Sequence, residues 1–241
     1  MYHYTNLRIA GIPCLQFDPP SEPKGTVVLY HGWSSTAQSY SFFASVLSHW
    51  GYRIIVPELP HHGERGTLNY ADPAALEKHF WDIVFQGIQE TENLIAELDD
   101  SFGPIGMIGH SMGGFITVGT FVNVPRIRSA TVINSSCAWE RIEELLRDMR
   151  GAPPMTDSGR AALSKRDPIH RLRFEDGRGL LLLHGKDDTV VPIEGQRFFM
   201  AAMEPKGISP DQLQFIEFPG VNHQITLSMV QKSVEWLEKH L

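Results

Sequence analysis

The sequence has very little cysteine: Cys14 and Cys137 are the only two among its 241 residues. They stand far apart, in none of the short spacings that zinc sites and redox-active dithiols use. This argues against a disulfide framework and against a cysteine-based metal centre. Free thiols are typical of proteins of the reducing cytoplasm, where we expect this chain to be found.

Long apolar runs and an excess of basic charge are lacking as well. No apolar run approaches the roughly 20 residues of a membrane-spanning helix, and residues 1–4 show neither the basic nor the apolar region of a secretory signal. Lysine and arginine number 21 against 28 aspartates and glutamates, so the formal net charge is −7. A negative chain is poorly suited to nucleic acid or to an anionic membrane surface, and we predict neither as a partner.

What the sequence does contain is an alternation of short apolar runs with amphipathic segments. The apolar runs that predict strands follow an edge hairpin at 7–17 and occupy residues 26–30, 52–56, 104–109, 129–134, 179–184 and 212–218. The main helical patterns cover residues 38–50, 73–98, 115–122, 193–203 and 224–241. This alternation predicts an α/β fold with a mainly parallel central sheet flanked by helices.

The chain shows no internal repeat, low-complexity tract or long linker. Residues 1–241 are therefore predicted to form one domain. Residues 137–175 break the alternation, because two helical patterns flank a loop that contains Pro153 and Pro154. We predict that this segment is a small helical cap over the ends of the strands.

The segment Gly109-His110-Ser111-Met112-Gly113 fits the G-x-S-x-G pattern, between an apolar run and a helical pattern. In this pattern a tight turn presents the serine hydroxyl above a strand end, and the flanking glycines avoid side-chain collisions. The helix that follows points free backbone N–H groups and its positive dipole end at the same place. Taken alone, the pattern also fits an ordinary glycine-rich turn, so its meaning depends on the rest of the chain.

A serine nucleophile needs a base within hydrogen-bond reach, and the base needs a carboxylate that orients it. The predicted strand at 179–184 is followed by Asp187 and Asp188, and the last predicted strand is followed by His223. These residues lie at the strand ends, where ligands bind in such sheets. The order serine, acid, histidine is that of α/β hydrolases. The residues alone leave the choice between the two aspartates open.

Four segments together resemble the α/β-hydrolase superfamily: His31-Gly32-Trp33, Gly109 to Gly114, His184-Gly185-x-x-Asp188-x-x-Val191-Pro192 and Gly220-x-x-His223. Within that superfamily the chain is similar to small bacterial carboxylesterases of the dienelactone-hydrolase-like and prolyl-oligopeptidase-like branch. The resemblance implies the α/β-hydrolase fold. It also implies a catalytic triad with Ser111 as nucleophile, Asp188 as orienting acid and His223 as base. Dienelactone hydrolases themselves carry a cysteine nucleophile, so their substrate is not inferred.

An acyl-transfer site also needs two donors for the oxyanion. The elbow geometry assigns one to the backbone N–H of Met112, the residue after the nucleophile. The resemblance assigns the other to the backbone N–H of Trp33. Trp139, Met149 and Met155 fall in the predicted cap segment and are candidates for the substrate pocket. Packing of the cap against the core explains them equally well.

The pair His61-His62, with Glu58 and Glu64 nearby, raises the alternative of a metal site. The ligand spacing of zinc sites is absent, and a histidine pair in a loop is more often a hydrogen-bonded scaffold. We therefore predict no metal. The segment from His62 to Arg65 resembles a structural loop of the same family, in which Arg65 holds backbone carbonyls or acidic side chains.

The predicted function is a serine carboxylesterase without a cofactor, which hydrolyses esters of small to medium acyl groups through an acyl-enzyme on Ser111. Its expected partner is a small-molecule ester, because the predicted cap is too short for a large lipase lid. A serine peptidase, or a thioesterase or amidase on small substrates, is an alternative that uses the same residues. A non-catalytic binding protein of the same fold is a second alternative. The oligomeric state stays open.

Overall fold

The computed structural model describes residues 3–174 and 177–241. The strands are β1 (Thr5–Ile9), β2 (Ile12–Phe17), β3 (Thr26–Tyr30), β4 (Arg53–Pro57), β5 (Ile105–His110), β6 (Ile127–Ile133), β7 (Gly179–Gly185) and β8 (Leu213–Phe218). They form one sheet in the order β1-β2-β4-β3-β5-β6-β7-β8. β2 pairs antiparallel with β1 and β4, and the other neighbours pair in parallel. The predicted mainly parallel sheet is confirmed.

Helices lie on both faces of this sheet. They are α1 (Ser41–His49), α2 (Pro73–Glu97), α3 (Met112–Asn123), α4 (Trp139–Arg150), α5 (Asp157–Ser164), α6 (Pro168–Arg171), α7 (Glu194–Met203) and α8 (Leu227–His240). α1 and α8 contribute to the core on one face, and α2, α3, α4, α6 and α7 contribute to the core on the other. Among the helices of the described residues, none is both long and apolar enough to cross a membrane.

The two cores explain why the central strands are apolar throughout. Val27 and Leu29 of β3 pack with α1 and α8, whereas Val28 and Tyr30 pack with α2 and α3. Alternate side chains of a strand point to opposite faces. A strand covered on both sides therefore needs apolar residues at every position, which is the pattern that predicted these strands.

The starts of α3 and α8 each differ from the predictions by three residues, and local geometry explains both. α3 begins at Met112, directly after the elbow serine, rather than at residue 115. The run of glycines there lowers intrinsic helix propensity, but the helix packs between β5 and α2 and tertiary contacts decide. α8 begins at Leu227 rather than at residue 224, because Thr226 caps it by accepting the Met229 N–H at 3.2 Å.

The segment between β6 and β7 carries α4, α5 and α6, as the predicted interruption of the alternation required. Asp167 links two of these helices. Its carboxylate accepts the backbone N–H of Glu140 at 2.8 Å, at the start of α4, and that of Ile169 at 3.2 Å, at the start of α6. Residue 175, the last of the predicted cap segment, lies outside the described residues.

Candidate active site

Ser111 forms the turn between β5 and α3. Its backbone angles are φ 56° and ψ −124°, a conformation that costs a non-glycine residue about 1–3 kcal/mol. A Cβ atom at Gly109 would collide with the carbonyl of Gly113, and one at Gly113 would lie 2.5 Å from the carbonyl oxygen of Tyr30. The turn is thus closed so tightly that both flanking positions require glycine.

The structure brings Ser111, His223 and Asp188 together at the ends of β5, β8 and β7. His223 Nε2 lies 2.9 Å from Ser111 Oγ, and His223 Nδ1 lies 2.8 Å from Asp188 Oδ2. Asp188 is only 8% exposed. A hydroxyl, an imidazole and a buried carboxylate in this line can pass a proton from the hydroxyl to the ring.

Backbone groups hold the carboxylate of Asp188 in place. Its Oδ1 accepts the N–H groups of Val190 and Val191, each at 2.8 Å. His184 Nε2 lies 3.4 Å from Oδ2. Burial raises the pKa of Asp188, but the hydrogen bonds from His184, His223 and the Val191 N–H outweigh burial and hold this pKa below its ordinary value. The group is therefore a carboxylate at neutral pH.

The neighbouring Asp187 points elsewhere. Its side chain is exposed, and its Oδ2 accepts the Gly220 N–H at 2.7 Å. Its own N–H donates to the Val221 carbonyl at 3.0 Å. Asp187 therefore ties the loop after β7 to the loop after β8, whereas the next residue faces His223.

The loop after β3 passes directly beside the nucleophile. A Cβ atom on Gly32 would lie 3.1 Å from Ser111 Cβ, which places the next residue, Trp33, at the mouth of the site. Within residues 3–174 and 177–241, no acceptor is found for the backbone N–H of Trp33 or for that of Met112. Two unengaged donors beside a serine hydroxyl can stabilise a developing oxyanion.

Glu58 contacts the loop after β3. Its Oε1 accepts the Ala37 N–H at 3.1 Å and lies 3.0 Å from His31 Nε2. Arg65 donates to the Glu58 carbonyl at 2.9 Å and makes two hydrogen bonds of 2.7 Å with Glu90. The predicted role of Arg65, holding a carbonyl and an acidic side chain, is confirmed.

The two histidines of the alternative metal site face different surroundings. His62 is fully buried, lies 2.8 Å from the Pro60 carbonyl through Nδ1 and stacks on Tyr70 with ring centroids 4.9 Å apart. Burial lowers its pKa to about 4. His61 is exposed, and its ring lies 5.6 Å from that of His79. A neutral, packed His62 beside an exposed His61 is the geometry of a scaffold.

Another group of possible metal ligands does exist in the described part of the chain. Side-chain atoms of Glu140, Asp167 and His170 lie within 4.8 Å of one another. The carboxylate of Asp167, however, accepts backbone N–H groups at two helix starts. The positive end of a helix dipole disfavours a cation at that place. The absence of a metal stays a prediction.

The structure corrects one predicted pocket residue. Trp139 has no exposed surface and packs against the rings of Trp81 and Phe85, with centroids 5.4 and 6.1 Å apart. Its ring also lies against Gly119, eight residues after Ser111 and so about 12 Å along the helix. Trp139 is therefore a core residue, because the start of α4 must bury its apolar face. Trp139 therefore offers no exposed surface to a substrate bound at Ser111.

The other two candidates are more accessible. Met149 is 55% exposed at the end of α4, and Met155 is partly buried against the core in the loop before α5. Their role in a substrate pocket stays a prediction.

Sequence reasoning missed two residues beside the site. Asn134 adopts φ 47°, accepts the Gly185 N–H at 2.9 Å and donates to the Gln224 carbonyl at 3.2 Å. Its position at the end of a predicted strand was a usable signal. Tyr40 lies in a helical pattern before α1, and its hydroxyl lies 2.7 Å from His110 Nδ1. Nothing in the local sequence marks Tyr40, since only the folded chain brings it to the elbow.

Comparison with known proteins agrees with this geometry. The model of a family described as "Alpha/beta hydrolase family" matches residues 27–215. The chain is 31% identical over 257 residues to esterase YjfP of Escherichia coli (strain K12), and 29% identical over 261 residues to YitV of Bacillus subtilis (strain 168), each match covering 100% of both chains. The solved structure of TT1662 from Thermus thermophilus has a similar fold, with a TM-score of 0.83 and 22% identity over 98% of this chain and 96% of that one.

Proposed function

Because the chain belongs to the alpha/beta hydrolase family, we propose that it is a serine carboxylesterase that acts through Ser111, His223 and Asp188. Family membership confirms the resemblance that the four sequence segments indicated. One observation carries the proposed activity: His223 lies 2.9 Å from Ser111 Oγ through one ring nitrogen and 2.8 Å from Asp188 through the other. Such a chain of hydrogen bonds activates a serine hydroxyl as a nucleophile.

The proposed reaction begins when Ser111 Oγ attacks the ester carbonyl and His223 Nε2 takes its proton. Asp188 is ionised, so it fixes the proton of His223 on Nδ1 and stabilises the imidazolium that forms. The N–H groups of Trp33 and Met112 stabilise the oxyanion. His223 then gives its proton to the leaving alcohol, and water repeats the sequence on the acyl-enzyme to release the acid.

Two observations support an ester of small to medium acyl group. A relative that matches over its full length, YjfP, bears the name esterase. The segment between β6 and β7 offers three short helices, and α4 carries charged residues along much of its length, so it is unlike a long apolar lid. The same residues could act on amides, thioesters and peptides, so these substrates are included in the same test.

Two further properties are part of the proposal. We propose that residues 1–241 act as one domain in which the segment 137–175 is a small cap beside the site. The cytoplasm is the proposed location, since both cysteines are free and buried.

The test is hydrolysis of p-nitrophenyl esters of graded acyl length, with anilide and thioester analogues as further arms. The wild-type protein should turn over short and medium esters, and Ser111→Ala should reduce turnover to background without loss of folding, because its hydroxyl is not a packing group. Ser228→Ala, at an exposed position on α8, is the matched control and should keep full activity. Turnover that survives in Ser111→Ala contradicts the proposal, and a wild type inactive on all arms favours the non-catalytic alternative.

A further inference from the structure

A chain of two hydrogen bonds and one ring contact connects the loop after β3, the proposed oxyanion loop, with the loop of the base. The Gly32 N–H donates to the Tyr40 hydroxyl at 3.3 Å, and that hydroxyl lies 2.7 Å from His110 Nδ1. The His110 ring in turn lies against the ring of His223, with centroids 4.9 Å apart. Neither Tyr40 nor His110 belongs to the triad, yet together they span the two loops that must act on the same carbonyl group.

The two hydrogen bonds of this chain run in the same direction, from Gly32 to Tyr40 and from Tyr40 to His110. The Tyr40 oxygen accepts from Gly32, so its own proton is free to go to His110 Nδ1. His110 then carries its proton on Nε2. Asn134 Nδ2 lies 3.5 Å from the same Nε2, which is too far for a strong hydrogen bond.

Both groups stay neutral while they do this. Tyr40 is 6% exposed, and burial raises its pKa above the ordinary value. Burial, followed by repulsion from a charged His223, lowers the pKa of His110 to about 3. The rings of His110 and His223 lie 4.9 Å apart. Because neither Tyr40 nor His110 changes its protonation state near neutral pH, the chain fixes the positions of groups and does not carry protons.

We propose that Tyr40 and His110 are positioning residues, which hold the oxyanion loop and His223 in register across the elbow. This inference rests on the proposed function. Without the Tyr40 hydroxyl, His110 Nδ1 loses its donor and the ring can take the other tautomer. The His110 ring would then be free to shift against the ring of His223, and this shift would displace the base from Ser111. A displacement of about 1 Å in such a site can reduce the rate by up to about 10²-fold.

The first experiment compares Tyr40→Phe with Tyr30→Phe. Tyr30 is the matched control, since it is 1% exposed and its hydroxyl lies 2.7 Å from Thr91, away from the serine. We expect Tyr40→Phe to lower kcat by about tenfold with KM within about twofold. Tyr30→Phe should lose a similar amount of thermal stability and keep kcat within about twofold. Equal kcat losses in the two variants would overturn the proposal.

The second experiment places Tyr40→Phe in a His110→Gln background. Glutamine lacks the ring that lies against His223, so Tyr40 has no ring left to hold there. We therefore expect Tyr40→Phe to have no further effect on kcat in this background, whereas additive losses would contradict the chain. Should Tyr40→Phe fail to fold, His110→Gln and His110→Leu are each compared with the wild type; a kcat within about twofold of the wild type in both would then overturn the proposal.

A readout without substrate separates this inference from the proposed function. The low-field proton resonance of His223 Nδ1–H reports the geometry of its hydrogen bond with Asp188. We expect it to shift or broaden in Tyr40→Phe and to be unchanged in Tyr30→Phe. If the wild type hydrolyses no substrate, the proposed function fails while this resonance still tests the positioning role. An unchanged resonance in both variants would refute that role even in an active esterase.

Discussion

The strand ends that carry Ser111, Asp188 and His223 differ from the segment 137–174 in what holds them. At the strand ends, backbone groups fix the side chains. The Ser111 N–H donates to the Ile133 carbonyl at 2.9 Å, and two N–H groups hold the Asp188 carboxylate at 2.8 Å each. Such contacts depend on the path of the chain, so they tolerate few substitutions nearby.

In the segment 137–174, contacts between side chains are prominent. Glu143 of α4 accepts the Trp81 indole N–H at 3.0 Å and pairs with Arg147 at 2.7 Å. Arg160 of α5 reaches Glu144 at 2.6 Å, with its side chain 43% exposed. Exposed pairs of this kind contribute about 0–1 kcal/mol each. The exposed positions of this segment can therefore change at little cost in stability, and we expect variants there to affect substrate preference more than chemistry.

The largest expected effect tests how strictly the strand ends are fixed. Asp188→Asn keeps the shape of the side chain but favours the wrong tautomer of His223. The equivalent change lowers kcat by about 10⁴ in a serine protease with the same kind of triad. Asp187→Asn should cost at most about tenfold, because Asp187 only ties two loops together. Steady-state kinetics of both variants on one ester measure the two losses in kcat. The reverse order would assign the orienting acid to Asp187.

A pair of glycine variants compares the two regions directly. Gly32→Ala adds a Cβ 3.1 Å from Ser111 Cβ, which should displace the oxyanion loop and lower kcat/KM by about 10²-fold. Gly159→Ala adds a Cβ in α5, 3.2 Å from the hydroxyl of the exposed cap residue Thr156. This variant should keep its activity and gain up to about 1 kcal/mol of helix stability. Similar activity in both variants would remove the contrast between the regions.

The pH dependence of stability tests the burial of His62, in the loop after β4. Burial lowers the pKa of His62 from 6.5 to about 4. Between these values the unfolded chain binds a proton that the folded chain does not. Stability therefore falls as the pH drops through this window, by about 3 kcal/mol when the loss is complete. His110, whose pKa is lowered to about 3, acts in the same direction.

Urea unfolding at pH 7 and pH 5 checks this prediction. His62→Phe keeps a ring against Tyr70 and should make the loss of unfolding free energy between these pH values smaller by about 2 kcal/mol. His170→Gln, at an exposed position on α6, is the control and should leave the loss unchanged. A wild-type stability that is flat from pH 7 to pH 5 would contradict the burial argument.

The smallest expected effect belongs to Met149, which is 55% exposed. Met149→Ala should raise KM for a hexanoyl ester by about threefold and leave an acetyl ester unchanged, because the proposed pocket places Met149 against the distal carbons of the longer chain only. An equal change with both esters would show that the segment 137–174 acts on the chemistry itself.

The sequence predicts the strand ends well, for a physical reason. A serine in a strained turn needs glycines at fixed spacing, as at Gly109 and Gly113, and an acid held by backbone N–H groups needs a loop of fixed length. Those requirements leave short motifs in the sequence. The mainly parallel pairing of the strands follows from the same alternation of apolar runs that predicts them.

Trp139 and Tyr40 lack such a local signature. Trp139 is a candidate for the pocket on its sequence, but an aromatic residue at the start of a helix gives the same sequence pattern whether it faces a cleft or the core. The contact between Tyr40 and His110 joins positions 70 residues apart. A long-range side-chain contact of this kind depends on the folded sheet, and no local sequence pattern near either residue predicts it.

The most direct test of the account is covalent labelling with a fluorophosphonate probe. Only an activated serine reacts rapidly, and the probe's phosphorus should be found by peptide mass spectrometry on Ser111 alone. Labelling should slow as the pH falls, because His223 must be neutral to accept the serine proton. It should be lost in Ser111→Ala and slowed by orders of magnitude in Asp188→Asn. A wild-type protein that remains unlabelled, or an adduct on another serine, would contradict the account.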